Sequence, residues 1–345
     1  MRSWLPPAPL PEEECVPILR SLLTKARAPA LRRTRLWSRP VTRPSILMYH
    51  RIAEDSFDPW GLAVSPSRFA DHLRWLRESR VVFPLAEFVA RHEARELPQN
   101  AVALTFDDGY ACSAEVAAPL LEDARLPATI FIPAELIERG NPFWWDELRM
   151  LVFTHAGKQL TLDGKQVDLG LCHPDDDRWA PGARPRTPRQ NAFRRIWAAL
   201  REKPPLKLDA AMEGIRSQAP EATTRDGPRP MSPQQVRNTS SSLIQFGSHA
   251  LTHPWLTSLN NTEKRAEIGE SIERVGKLAG RRPTAFAYPY GDFDADSERL
   301  AEEAGFLCAC ATMGRPIAPD SRMFAMPRIA VGNWSPKEIR ARLRG

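Results

Sequence analysis

The 345-residue chain contains no run of about 18 apolar residues, the length a membrane-spanning helix needs, so none is expected. Cysteine is scarce. Cys15, Cys112, Cys172, Cys308 and Cys310 are scattered and odd in number, which excludes a disulfide framework. Cys308 and Cys310 alternate along GFLCACAT and read as small core residues of a strand. No internal repeat is present, which excludes solenoids and propellers. Histidine is sparse too: there are seven, and none follows His253. The opening MRSWLPPAPLPEEEC lacks the continuous apolar stretch of a signal peptide, being interrupted by prolines and three glutamates. A cytoplasmic location is the expectation.

Charge is modestly unbalanced, with 48 Lys and Arg against 42 Asp and Glu. Most of the excess lies between Arg20 and Arg51 and between Arg340 and Arg344. These residues form no clustered nucleic-acid-binding motif. They read as ordinary solvated charge, with attraction to anionic lipid or glycan, and so peripheral membrane association, as the alternative. A hydrophobic content of 42% suits a globular chain with a sizeable core.

Apolar runs alternate with helical patterns. Ile46–His50 reads as a first core strand, and Ser65-Pro66 opens a helix with Phe69, Leu73 and Leu76 inward. Further helices are expected at Pro84–Glu96, Tyr110–Arg125, from Asn261 or Thr262 to Ala279, and at Ala295–Ala304. Strands are expected at Ala128–Pro133, Ala285–Tyr288, Phe306–Ala311 and Pro327–Val331. This alternation predicts a parallel sheet with helices outside. Residues 1–44 form a Pro- and Arg-rich leader with one short helix around Val16–Lys25, and residues 336–345 a helical tail. Residues 140–235 break the rhythm. Asp175–Asp177 and Pro181–Pro188 read as loop, and Asn191–Leu200 as a short helix.

Three stretches carry chemistry. AVALTFDDGY, Ala101–Tyr110, is an apolar strand ending in Asp107, Asp108 and Gly109. Neighbouring strand residues face opposite ways, so both carboxylates share a site only if the strand stops there. In SLIQFGSHALTHPWL, His249 and His253 stand four apart after a short strand. One helical turn would put them on one face. Two imidazoles and a carboxylate from another strand end make a three-donor metal site, suited to zinc or ferrous iron. In FAYPYG, Pro289 and Gly291 bracket Tyr290 in a stiff turn.

TFDDGY, HALTH and FAYPYG, in that order, resemble the polysaccharide deacetylase family, the NodB-homology domain. The resemblance spans about Ile46 to Trp334 and includes MYHRI, FWWDEL and MPRIAV. It implies an irregular seven-stranded (β/α) barrel over residues 45–335, with 140–235 inserted over its mouth. It implies hydrolysis of an N-acetyl group on an acetamido sugar of a cell-surface polysaccharide or its precursor, with an N-acetylated glycan as partner. It implies a divalent metal, zinc first with iron, nickel or cobalt as alternatives, on Asp108, His249 and His253. Asp107 then matches the general base. The Tyr110 N–H matches an oxyanion donor, and Pro289 and Tyr290 would line the sugar pocket. Trp144 and Trp145 offer flat faces for sugar rings, with anchoring of the insertion as the competing reading.

The chain departs from the family twice. Many members carry a third-motif arginine that holds the base, where this chain has Ala287. Arg328 is the candidate replacement, since a guanidinium grips a carboxylate bidentately. Many members also carry a late histidine as general acid. His50, at the end of the first strand, is the substitute. His72, His92, His155 and His173 receive no role. An amidohydrolase of deformylase or allantoinase type, and a carbohydrate-binding relic without catalysis, are the alternatives.

Overall fold

The structure, a computed structural model, describes residues 42–219 and 227–343. Cys15 and the helix expected at Val16–Lys25 lie outside the described residues. Among the described residues, seven parallel strands close a barrel: β1 (Ser45–Tyr49), β2 (Ala101–Phe106), β3 (Ala128–Ile132), β4 (Ile244–Ser248), β5 (Ala285–Ala287), β6 (Cys308–Thr312) and β7 (Met326–Ala330). Each strand pairs with its neighbours in the sequence of barrel strands, and β7 and β2 both pair with β1 to complete the ring. A two-residue strand, Val81–Val82, pairs with the start of β2. Every residue of β1, β2 and β3 is buried, because one face fills the barrel and the other meets helices. Closure leaves the barrel strands no open edge.

The outer helices follow their caps. Ser65 Oγ accepts from the Arg68 N–H at the head of helix Pro66–Ser79, which buries Phe69, Leu73 and Leu76. Helix Asn261–Ala279 is capped by Asn260, one residue before the expected positions. The Asn260 side chain is reciprocated by Glu263, and left-handed Gly280 ends the helix. The helix expected over Tyr110–Arg125 is split instead. A π-helical turn, Ser113–Ala117, precedes the α-helical Ala118–Ala124. Pro119 explains the break, since it has no N–H for the carbonyl four residues back and its ring crowds that carbonyl. β6 begins at Cys308 rather than Phe306, after the left-handed turn at Gly305.

The segment 140–235 is more regular than its composition suggests. It holds helices Trp144–Thr154, Pro188–Arg201 and Pro205–Arg216 and an antiparallel hairpin, Gln159–Leu162 with Lys165–Asp168. Asp163 and Gly164, both at positive φ, make the hairpin turn. These elements share an apolar core that includes Leu148, Val152, Phe193, Ile196 and Ile215. Arg189, fully buried, donates to the carbonyls of Val152, His155 and Gly157 and ties the helices to the hairpin. No helix of the described residues is long and apolar enough to cross a membrane.

Candidate active site

The chain leaves β2 at Phe106, and the Asp107 N–H still donates to Tyr49 O at 2.9 Å. Asp108 (φ 70°) and Gly109 (φ 68°) then turn left-handed. This ends the strand alternation and brings both carboxylates to one side. Asp tolerates that conformation better than most residues. A Cβ on Gly109 would sit 2.6 Å from Ile132 Cγ2, so the position needs glycine twice over.

His249 follows β4, its N–H bonded to Ile132 O at 3.0 Å. The expected helical turn to His253 does not form. Ala250 (φ 64°) and His253 (φ 58°) are both left-handed, and the segment is a loop. Its shape is held from behind by Glu267, whose carboxylate accepts from the N–H groups of Leu251 and Thr252 and from Thr252 Oγ1. The loop still brings the two imidazoles together, with ring centroids 4.7 Å apart.

Asp108, His249 and His253 each offer one donor atom, and these atoms lie within 4.8 Å of one another. Asp108 Oδ1 is 3.5 Å from His249 Nε2 and 3.3 Å from His253 Nε2. His249 Nδ1 lies 2.7 Å from the Ala287 carbonyl. A carbonyl only accepts, so Nδ1 carries the proton, and in the neutral ring Nε2 turns a lone pair toward the carboxylate. A proton on Nε2, or a cation held between them, would relieve the repulsion of these facing electron pairs. The donor set therefore fits a divalent metal. Burial pushes the Asp108 carboxyl up, but its contacts with His249 and His253 outweigh this and hold it well below the usual range. Burial lowers His253, which favours the neutral, ligating ring.

Asp107 lies beside this set, with Oδ2 3.9 Å from His249 Nε2. Arg328 reaches it from β7, Nη1 to Oδ1 at 2.6 Å and Nη2 to Oδ2 at 2.7 Å. Arg328 is fully buried, and Nη1 also donates to Thr105 Oγ1 at 3.3 Å. Burial alone would raise the Asp107 carboxyl; the guanidinium, then His249, bring it below its ordinary value. Ala287 contributes through its carbonyl instead of a side chain.

His50, half-buried, lines the same cavity as Asp107, Asp108, His249, His253 and Tyr290. The cavity is also lined by Met48, Trp60, Leu62, Trp145, Trp197, Gly291 and Thr312. Pro289 is buried and is not part of the lining. Trp145 faces the cavity, and Trp144 does not. Trp144 packs behind, edge-on to Trp145 and stacked on Trp197. His72 and His92 are structural, with Nε2 on the carbonyls of Trp334 and Ser321 respectively.

Tyr110 also stands one layer back. Its Oη donates to Asp146 Oδ2 and accepts from Trp145 Nε1, each at 2.7 Å. The neighbouring N–H groups of Ala111 and Met231 make the bonds of the bridge to Pro230, so the Tyr110 N–H points away from that neighbour. Burial raises the Asp146 carboxyl to about 6 against the pull of Arg51 and the bond from Tyr110. Trp60, Trp197 and Asp146 have no assigned role in the motif reading. Of these only Asp146 lies in a stretch that reading singled out, FWWDEL.

The family model described as Polysaccharide deacetylase matches residues 94–156 and 210–309, leaving out much of the insertion. YxkH of Bacillus subtilis (strain 168), named for the same family, is 30% identical over 288 residues, 83% of this chain and 70% of that protein. In fold, the chain is similar to the Streptococcus pyogenes deacetylase PplD, solved in complex with acetate. That match has a TM-score of 0.57 at 17% identity and covers 88% of this chain and 99% of that one. IcaB from Ammonifex degensii gives 0.55 at 16% identity over 88% and 98%. With its three motifs converging at one end of a closed parallel barrel, the chain belongs to the polysaccharide deacetylase family, hydrolases of the N-acetyl amide bond.

Proposed function

We propose that this protein is a metal-dependent N-deacetylase of an acetamido sugar in a bacterial cell-surface polysaccharide or its precursor. One observation carries the reading: a clamped carboxylate, Asp107, stands beside a two-histidine, one-carboxylate donor set in a single aromatic-walled cavity. Asp108, His249 and His253 would hold the ion, with zinc, iron, nickel or cobalt all compatible with these donors. Such an ion supplies Lewis acidity, polarising the amide carbonyl and making water more acidic.

The chain's own groups do the rest. Asp107, kept ionised by Arg328, takes a proton from the attacking water. The Tyr110 N–H donates to the oxygen that becomes negative as the carbonyl carbon turns tetrahedral. His50 gives a proton to the departing nitrogen as the C–N bond breaks, and the products are acetate and a free amino sugar. Trp145 and Tyr290 offer flat walls to the sugar ring. A carbohydrate-binding relic would have no use for a clamped base beside this donor set. The relative's bacterial source and the acetate in the PplD structure support the same reading. Acetate release from N-acetylated oligosaccharides by metal-loaded protein tests it. Release that His249→Ala abolishes is expected, and no release with any of the four metals would reject it.

A further inference from the structure

The rim of the cavity is bridged by aromatic contacts. The segment after β1 carries Trp60, and the insertion after β3 carries Trp197. Their ring centroids are 4.6 Å apart, so the segments that leave β1 and β3 meet across β2, which lies between them in the barrel, and both rings line the cavity with Asp107 and Asp108. On the other side the insertion meets the segment after β5: Tyr290 lies 6.1 Å from Trp197 and 6.5 Å from Trp145, spanning the end of β4. These bridges are braced from outside. The Arg201 guanidinium covers Trp197 at 4.9 Å and Trp255 at 4.2 Å, and Trp255 packs on Tyr290 at 5.3 Å.

A polymer that is cut or trimmed along its length lies across a site and leaves on both sides, which requires two gaps in the rim. Here two sectors are closed by packed rings. Among the described lining residues, Thr312 at the end of β6 and Gly291 beside it present no ring to the cavity. We propose that the site takes its substrate end-on: a terminal acetamido sugar or a short saccharide, not an interior residue of a long chain. This rests on the deacetylase reading above and names the substrate class within it.

The test uses full-length, metal-loaded protein and N-acetylglucosamine and N-acetylgalactosamine oligomers of graded length, with the deacetylated residue located by tandem mass spectrometry. One terminal residue should lose acetate at least about tenfold faster than interior residues, the scale on which pocket contacts discriminate. Trp60→Ala and Trp197→Ala, which part the bridge over β2, should each raise interior release by about the same factor. Interior release by the unaltered protein at a rate matching the terminus would overturn the proposal. So would unchanged regioselectivity in both variants. Absence of acetate from every oligomer would overturn the deacetylase reading itself, an outcome distinct from interior release.

Discussion

Arg328 and Asp107, 221 residues apart in sequence, form a fully buried bidentate pair across the β1 strand that separates β7 from β2. In register, Arg328 lies beside Ile46, and Ile46 beside Ala103. The long guanidinium side chain then reaches along the barrel interior to the strand end. Closure of the barrel thus supplies from the last strand what Ala287 cannot supply from the third motif.

Removing that guanidinium takes away the largest effect that opposes the desolvation of a buried carboxylate. Arg328→Ala should therefore raise the pKa of Asp107 and move the acid limb of the pH–rate profile to higher pH. Breaking a buried pair also costs stability, roughly 3–5 kcal/mol, so the profile belongs with a thermal melt. An acid limb that stays in place in folded, metal-loaded protein would show that Asp107 does not set it.

Asp107→Asn keeps the shape of the side chain and loses the proton acceptor. Metal content should be unchanged while turnover falls about 10²–10⁴-fold. Near-normal turnover would assign the base elsewhere.

His50→Ala should lower turnover about 10²–10⁴-fold and leave metal content as in the parent protein, because the departing amine then lacks its positioned proton donor. Turnover unchanged in the variant would leave His50 as cavity wall alone.

Asp146 makes a prediction about stability. Its folded pKa, about 6, lies above its ordinary value of 3.8, so the native state binds the proton more tightly than the unfolded chain. Stability from this group is full below about pH 4 and lost as pH rises through about 6, on the order of 3 kcal/mol in all. Asp146→Asn retains an acceptor for the Tyr110 hydroxyl and should flatten that slope. Denaturant midpoints across this range check it, and an equally steep slope in the variant would contradict it.

Much of the barrel was legible because buried parallel strands are short apolar runs ending in functional residues: LTFDDG, QFGSH and FAYPYG are each of that kind. Arg328 could be picked out because a missing arginine in one strand invites a search of the others. The conformation of HALTH was not legible. Spacing of four suggests a helical turn, yet Ala250 and His253 adopt left-handed backbone that their residue types do not announce. The insertion hid its order behind prolines and charges, although Asp163-Gly164 between alternating LTL and KQV was a readable hairpin signal. The choice of Trp145 over Trp144 as cavity wall depends on the rotation of one helix start, which adjacent identical residues cannot reveal.

As proposed, Asp108, His249 and His253 hold an ion without which Asp107 has nothing to do. Acetate release from an N-acetylated oligosaccharide by chelator-stripped protein titrated with zinc checks this. No release from stripped protein is expected, and recovery should saturate at one equivalent. Undiminished release after stripping would show that no such ion is needed.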